Sequence, residues 1–269
     1  MNRCGYSIYS NWGPRIESPQ AIGQKFVQTL DELSAGASVF RGWGVGDLST
    51  RNRREAIDAS MSVPLLTKAR ARMSGLIRGN VYRDYDTDVP DARCGYRTVA
   101  FNDFEKSPDV TPESLNFSVT AGAEFDRCNR AEMEAGTYRV MPSPSVSSYD
   151  AFHTALKVIA SIWRPDWACA RAHGWSKAAG PMPPAYGALY DGPLLVPWMT
   201  YLPRPLADGL QAPAEIRLER LEDGGLIMIA TTDRLDPTRA DHMRHAKLLA
   251  DILTERLPAS YYKAPYSSG

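Results

Sequence analysis

The residues of this chain that are best suited to chemistry do not fall into a working pattern. His242 and His245 stand three apart, a spacing that puts two imidazoles on one helical face, with Asp241 beside them. Such a pair can hold a metal only with a third ligand, and here Arg239, Arg244 and Lys247 surround it instead, so it reads as a solvated helix face. Gly42-Trp43-Gly44-Val45-Gly46 has the glycine density of a phosphate loop. It lacks the preceding apolar strand and the Lys-Ser/Thr that such a loop needs, and reads as a turn around a packed Trp43. Around Ser176, no glycine follows two residues on, where a strained nucleophile turn requires it. Asp166 would suit the first acidic ligand of a metal-dependent nuclease, but no Glu-x-Lys follows to activate water, so it reads as a turn or cap residue. His153 reads as a boundary residue of a helix. Cys4, Cys94, Cys128 and Cys169 are widely spaced, which excludes a zinc ribbon and a disulfide framework and leaves reduced, buried thiols. Nothing selects a carboxylate pair for glycoside hydrolysis. The expectation is a protein that is not an enzyme, with no catalytic residues, no metal and no cofactor.

What remains is charge and aromatic surface. The 269 residues carry a net charge of zero, which argues against direct nucleic-acid binding. The distribution is uneven: residues 1–82 hold eleven Lys and Arg against six Asp and Glu, and residues 83–134 hold six against twelve. The acidic excess is densest at Asp84, Asp86, Asp88 and Asp91, with Tyr82 and Tyr85 interleaved. Acidic groups around aromatic anchors suit a protein partner with a basic surface. Taken by itself the stretch reads as a solvated loop face; read as an acidic surface, these six residues are the candidate partner-binding set. Of the six tryptophans, most read as core or rim anchors, and any exposed one as an interface residue. No apolar run is long enough for a membrane span, and residues 1–20 lack the apolar core of a secretory signal, so the expected compartment is the cytoplasm.

Periodicity places the elements that must carry these residues. Residues 5–12 alternate as a strand. Ser18-Pro19 supplies a cap and a first-turn proline for a helix over 19–33, where Ile22, Phe26, Val27, Leu30 and Leu33 recur at helical spacing. Residues 35–60 read as mostly irregular, 63–78 as a second helix, and 79–95 as a loop. Strands at 96–104 and 115–121 form an antiparallel pair across a proline-bearing turn. Pro142–Ser148 reads as a linker. A third helix over 149–163 stops before Pro165. Strands at 167–172 and 196–202 flank a long proline- and glycine-rich loop. A hairpin joins 214–221 to 226–232 through Glu222-Asp223-Gly224-Gly225, and a last helix covers 238–257. The expected class is α+β, a largely antiparallel sheet flanked by about four amphipathic helices. One domain over 1–269 is expected, with 142–148 the place where an internal division would fall.

Three stretches together resemble the immunity protein 52 family of bacterial polymorphic toxin systems: Trp12-Gly13-Pro14-Arg15, Trp163-Arg164-Pro165-Asp166-Trp167, and Pro197-Trp198-Met199-Thr200-Tyr201-Leu202. The resemblance continues through the 214–232 hairpin and its closing helix, spanning roughly residues 6–257. It implies an α+β protein that binds a cognate toxin in the cytoplasm and blocks it, the toxin often being a restriction-endonuclease-like nuclease delivered by contact-dependent or type VI secretion. It supplies no catalytic residues, and the matched residues read as structural. Two other classes stay open from the sequence: a small hydrolase or nuclease with dispersed catalytic residues, and an adaptor of a secretion apparatus.

Overall fold

The computed structural model describes residues 5–46, 73–74, 77–83, 87, 89–102, 111–125, 129–136, 140–173 and 196–256. Its frame is an antiparallel sheet whose first strand in the chain, β1 (Gly5–Trp12), lies in the middle and is buried along its whole length. Strand order across the sheet is β2 (Gly44–Gly46), β3 (Tyr96–Phe101), β4 (Leu115–Ala121), β5 (Asn129–Ala135), β1, β6 (Trp167–His173), β7 (Val196–Leu202), β9 (Leu226–Ile229) and β8 (Arg217–Arg220). Each neighbouring pair is antiparallel. The α+β expectation holds.

The period of two divides the apolar side chains between two cores. Tyr6, Ile8 and Trp12 of β1, Ala168, Ala170 and Ala172 of β6, and Ile227 and Ile229 of β9 share one cluster with helices α1 (Pro19–Gly36) and α2 (Tyr149–Trp163). The alternate residues Tyr9, Trp167, Cys169, Leu226 and Met228 pack in a second cluster with Leu249, Ala250 and Leu253 of helix α3 (Ala240–Arg256). Helices therefore cover both sheet faces. The alanines of β6 lie under α2, where small side chains let a helix approach a strand closely. In β7 the register shifts between Ala170 and Arg171 of β6, and Trp198 falls in the gap of that pairing. Trp198 and its neighbour Met199 both join the α1–α2 cluster, which strict alternation forbids and a bulge allows.

Local signals set the helix ends. The Ser18 hydroxyl accepts the Ala21 N–H at 3.2 Å, with Pro19 in the first turn. The Ser148 hydroxyl caps α2 in the same way from Ala151. At the other end of α2, Arg164 takes the left-handed conformation with φ 47°. It is the single such non-glycine residue among those described.

Four expectations need correction. Within 35–60, the described residues 35–46 are more ordered than expected: Ser38–Phe40 form a 3-10 turn and Gly44–Gly46 an edge strand on β3, while 47–60 lie outside the described residues. Gly42 turns the chain with φ 71°, letting buried Trp43 stack on Phe40. Strand β5 went unpredicted. The 142–148 stretch is not a free linker: Val146 and Ser147 are buried, and Ser143 donates its N–H to Pro112 O at 2.7 Å. The closing hairpin is shorter than expected, 217–220 against 226–229. Of the expected helix over 63–78, Met73, Ser74 and residues 77–79 are helical, and the rest lies outside the described residues, as does 174–195.

Two tryptophans from distant segments join these layers. Trp12 at the end of β1 stacks on Trp163 at the end of α2, with centroids 5.7 Å apart and planes 23° apart. The Trp163 indole N–H donates to Thr29 Oγ1 of α1 at 2.9 Å. Trp163→Ala therefore opens a cavity between sheet and both helices and should lower the unfolding free energy by about 3–5 kcal/mol in urea denaturation. Lys25→Met, which removes only the ammonium 5.7 Å over the Trp163 ring and its pair with Glu17, should cost less than about 1 kcal/mol.

Candidate partner-binding site

Asp166, His242, His245 and Asp241, which raised chemical readings, each have a structural partner. Asp166 Oδ2 accepts the Gly13 N–H at 2.8 Å, and the Asp166 N–H reaches Asn11 O at 2.9 Å, so this aspartate ties the strand after α2 to the end of β1. That is the turn role expected of it. His242 is not on a solvated face as expected but buried at 2% exposure, and its Nδ1 accepts the Asp236 N–H at 3.0 Å. His245 turns Nδ1 to Ala230 O at 3.1 Å. The neighbouring Asp241 is held by Arg239 at 2.6 Å, and that hydrogen bond keeps its carboxyl well below the usual range. The three side chains thus serve separate contacts rather than one ion. Among the described residues no cluster of three His, Cys, Asp or Glu side chains is placed to hold a metal. Ser176 lies outside the described residues.

Five tryptophans, Trp12, Trp43, Trp163, Trp167 and Trp198, are buried, so they are core anchors rather than exposed interface residues. Trp175 lies outside the described residues. Arg15 completes the Trp12–Trp163 cluster. Its guanidinium sits 5.5 Å from the Trp12 ring centroid and donates to Trp163 O at 2.7 Å and Arg164 O at 3.1 Å. These carbonyls are the unsatisfied acceptors at the end of α2, and a cation there also meets the negative end of the helix dipole. An open groove of ≈ 730 Å³ beside it is lined by Arg15, Lys25, Gln28, Glu32, Ser161 and Arg164. Arg15 and Lys25 are already engaged, and no described nucleophile pairs with a base there.

A second polar cluster escaped the sequence reading. His153 Nε2 lies 2.9 Å from Glu219 Oε2, and Lys157 Nζ lies 3.0 Å from Glu219 Oε1, so edge strand β8 is clipped to α2. Tyr149 stacks on His153 with centroids 5.1 Å apart. His153 is half-buried, as a boundary residue should be.

Of the six predicted binding residues, Tyr82 and Asp91 are described and adjacent: the Asp91 N–H donates to Tyr82 O at 3.0 Å. Asp91 also caps the 3-10 turn Ala92–Cys94 by accepting the Arg93 N–H at 2.9 Å. The Arg93 guanidinium grips both carboxylate oxygens at 2.7–3.2 Å. Those hydrogen bonds hold the Asp91 carboxyl below the usual carboxylate range. An antiparallel bridge between Arg83 and Pro90 closes the stretch in which the remaining four fall. Asp84, Tyr85, Asp86 and Asp88 themselves lie outside the described residues.

A family model described as immunity protein 52 matches residues 5–257, spanning every described strand and helix. The chain belongs to the immunity protein 52 family. The match covers the Trp12–Arg15, Trp163–Trp167 and Pro197–Leu202 stretches, and in this immunity protein 52 chain they build the sheet–helix junction and the bulged strand. No curated protein matches the chain. A solved structure described as the Pseudomonas aeruginosa T6SS protein PA0821 is 17% identical with a TM-score of 0.46, covering 91% of this chain and 72% of that one. Among the described residues no helix is long and apolar enough to cross a membrane.

The β8 clip has a pH signature. Burial pushes the Glu219 carboxyl up, but the Lys157 hydrogen bond and the His153 ring together outweigh it, so the group sits below its ordinary range. A carboxyl whose folded pKa is depressed stabilises the fold above its unfolded pKa, and this contribution disappears as pH falls through the folded value. Glu219→Gln should therefore show a smaller loss of unfolding free energy than the parent between neutral pH and about pH 3, measured by denaturant titration.

Proposed function

We propose that this chain is the cytoplasmic immunity partner of an antibacterial toxin, a nuclease of the restriction-endonuclease type, and that it neutralises the toxin by binding it without turning anything over. The observation that carries the proposal is membership of the immunity protein 52 family across residues 5–257. The nuclease assignment draws support from charge. A nucleic-acid-cleaving enzyme presents a basic groove, and the stretch holding Asp84, Asp86, Asp88 and Asp91 offers the complementary sign. Tyr82 and Tyr85 supply aromatic area within it. The whole chain acts as one domain, a reading supported by the single sheet that joins nine strands of the described residues.

Co-expression with the toxin encoded beside it tests the proposal. Growth of cells producing that toxin should be restored by this chain, and the purified chain should stop the toxin from degrading DNA while leaving DNA intact by itself. Asp84→Ser, Asp86→Ser and Asp88→Ser combined should weaken toxin binding by about 10-fold or more at low salt, chiefly through slower association. Full protection and unchanged affinity in that variant would remove the acidic stretch from the interface. Failure of the parent chain to rescue growth would remove the function itself.

A further inference from the structure

We infer that β8 is the seam of a homodimer: a second copy of this chain lays its own β8 antiparallel along the open edge, with the two-fold axis at Leu218. The pairing goes beyond the function proposed above and does not rest on it. Strand β8 ends the sheet and pairs with β9 alone. The Leu221 N–H donates to Gly225 O at 2.9 Å, so that pair is a hydrogen-bonded one. Such pairs alternate in an antiparallel ladder, which makes Glu219–Ile227 and Arg217–Ile229 the next bonded pairs. Leu218 and Arg220 therefore turn their N–H and C=O groups outward. Among the described residues nothing bonds those outward groups. The edge holds no proline, and its central residue, Leu218, is 40% exposed.

Charge identifies the occupant. Charged side chains on an edge repel most incoming strands, and they admit one whose charges run in the complementary order. Laid antiparallel against itself, Arg217-Leu218-Glu219-Arg220 can place the two-fold axis on any of its residues. An axis on Arg217, Glu219 or Arg220 sets that residue against its own copy, like charge on like. An axis on Leu218 sets leucine on leucine, and it sets Arg217 against the second copy's Glu219 twice over. Leu218 is then a hydrogen-bonded pair, and Arg217–Glu219 falls at the non-bonded position, where facing side chains lie closest.

The side chains are set for that register. Arg217 is exposed and makes no ion pair among the described residues. Glu219 is already oriented by His153 at 2.9 Å and Lys157 at 3.0 Å, and each of its oxygens keeps a lone pair for an incoming guanidinium. An acceptor ordered before binding loses less entropy when it pairs. Arg217 and Glu219 lie on the α2 face of the sheet, opposite Ile229 and Ile227, whereas Leu218 lies on the α3 face opposite Met228. The Ile216 N–H is taken by Pro213 O at 2.9 Å, which leaves its carbonyl to accept the second copy's Arg220 N–H. About four backbone hydrogen bonds then join the copies, a small seam that makes a weak dimer.

Sedimentation equilibrium of the purified full chain over a concentration series tests this. The parent should pass from monomer to dimer by on the order of 100 µM. Arg217→Glu, which sets carboxylate against carboxylate twice, should weaken the dimer about 10-fold or more. Glu219→Lys alone should weaken it too, and an equal mixture of the two variants should form a heterodimer, because each strand then carries the charges the other lacks. A cysteine comparison keeps Glu219 intact and reads the register even where Glu219→Lys does not fold. Under mild oxidation Leu218→Cys should give a disulfide-linked dimer joined 218 to 218, since those Cα atoms stand about 5.5 Å apart. Arg220→Cys, equally exposed on the same strand, should not, because its two copies are offset by roughly 14 Å along the strand. A parent that stays monomeric throughout overturns the homodimer. A dimer indifferent to Arg217→Glu, or one in which Arg220→Cys links as readily as Leu218→Cys, overturns this seam.

Discussion

The contact on which the architecture depends is the stacking of Trp12 on Trp163, with Arg15 and Lys25 against the two rings. Trp12 ends the central strand and Trp163 ends the helix that crosses it, so one contact fixes the angle between sheet and helix layer. Arg15 closes the arrangement by satisfying carbonyls that the helix leaves open. The left-handed Arg164 costs roughly 1–2 kcal/mol of backbone strain, and it is held there because the chain on both sides is tied down, by Trp163 before it and Asp166 after it.

This constraint separates two jobs that a binding protein must keep apart. The five described tryptophans, residues well suited to be binding anchors, are consumed in the core. Around that core lies a rim of loops whose backbones are joined by hydrogen bonds and where Ile16, Val89 and Phe125 are exposed. The Asp91–Arg93 pair shows the arrangement in miniature: it terminates a turn, and it also positions an exposed phenylalanine. Rims of this kind tolerate substitution without loss of the fold.

Elements with strong local signals were readable from the residues alone. The helix 149–163 has a serine cap, a regular apolar stripe and a proline stop, and its ends agree with the structure, as do those of the strands 115–121 and 196–202. Strand β5 was not readable. Its inward residues Ala131, Met133 and Ala135 are small or unbranched, and Arg130, Glu132 and Glu134 face the other way, a pattern with little strand propensity that tertiary pairing on both sides overrides. Trp198 broke the alternation through a bulge that no single-strand pattern encodes. In the candidate site, the closeness of Tyr82 and Asp91 was implied by sequence neighbourhood.

The placement of β1 has a kinetic side. Its two neighbours come late: Ser10 bonds Ala131, 121 residues on, and Ser7 bonds Arg171, 164 residues on. At roughly 5–20 residues per second on the ribosome, this strand emerges with both edges open for on the order of ten seconds or more. A topology so rich in distant pairings also folds slowly once released. Function from newly made copies therefore lags their synthesis by at least the time these distant pairings need to form.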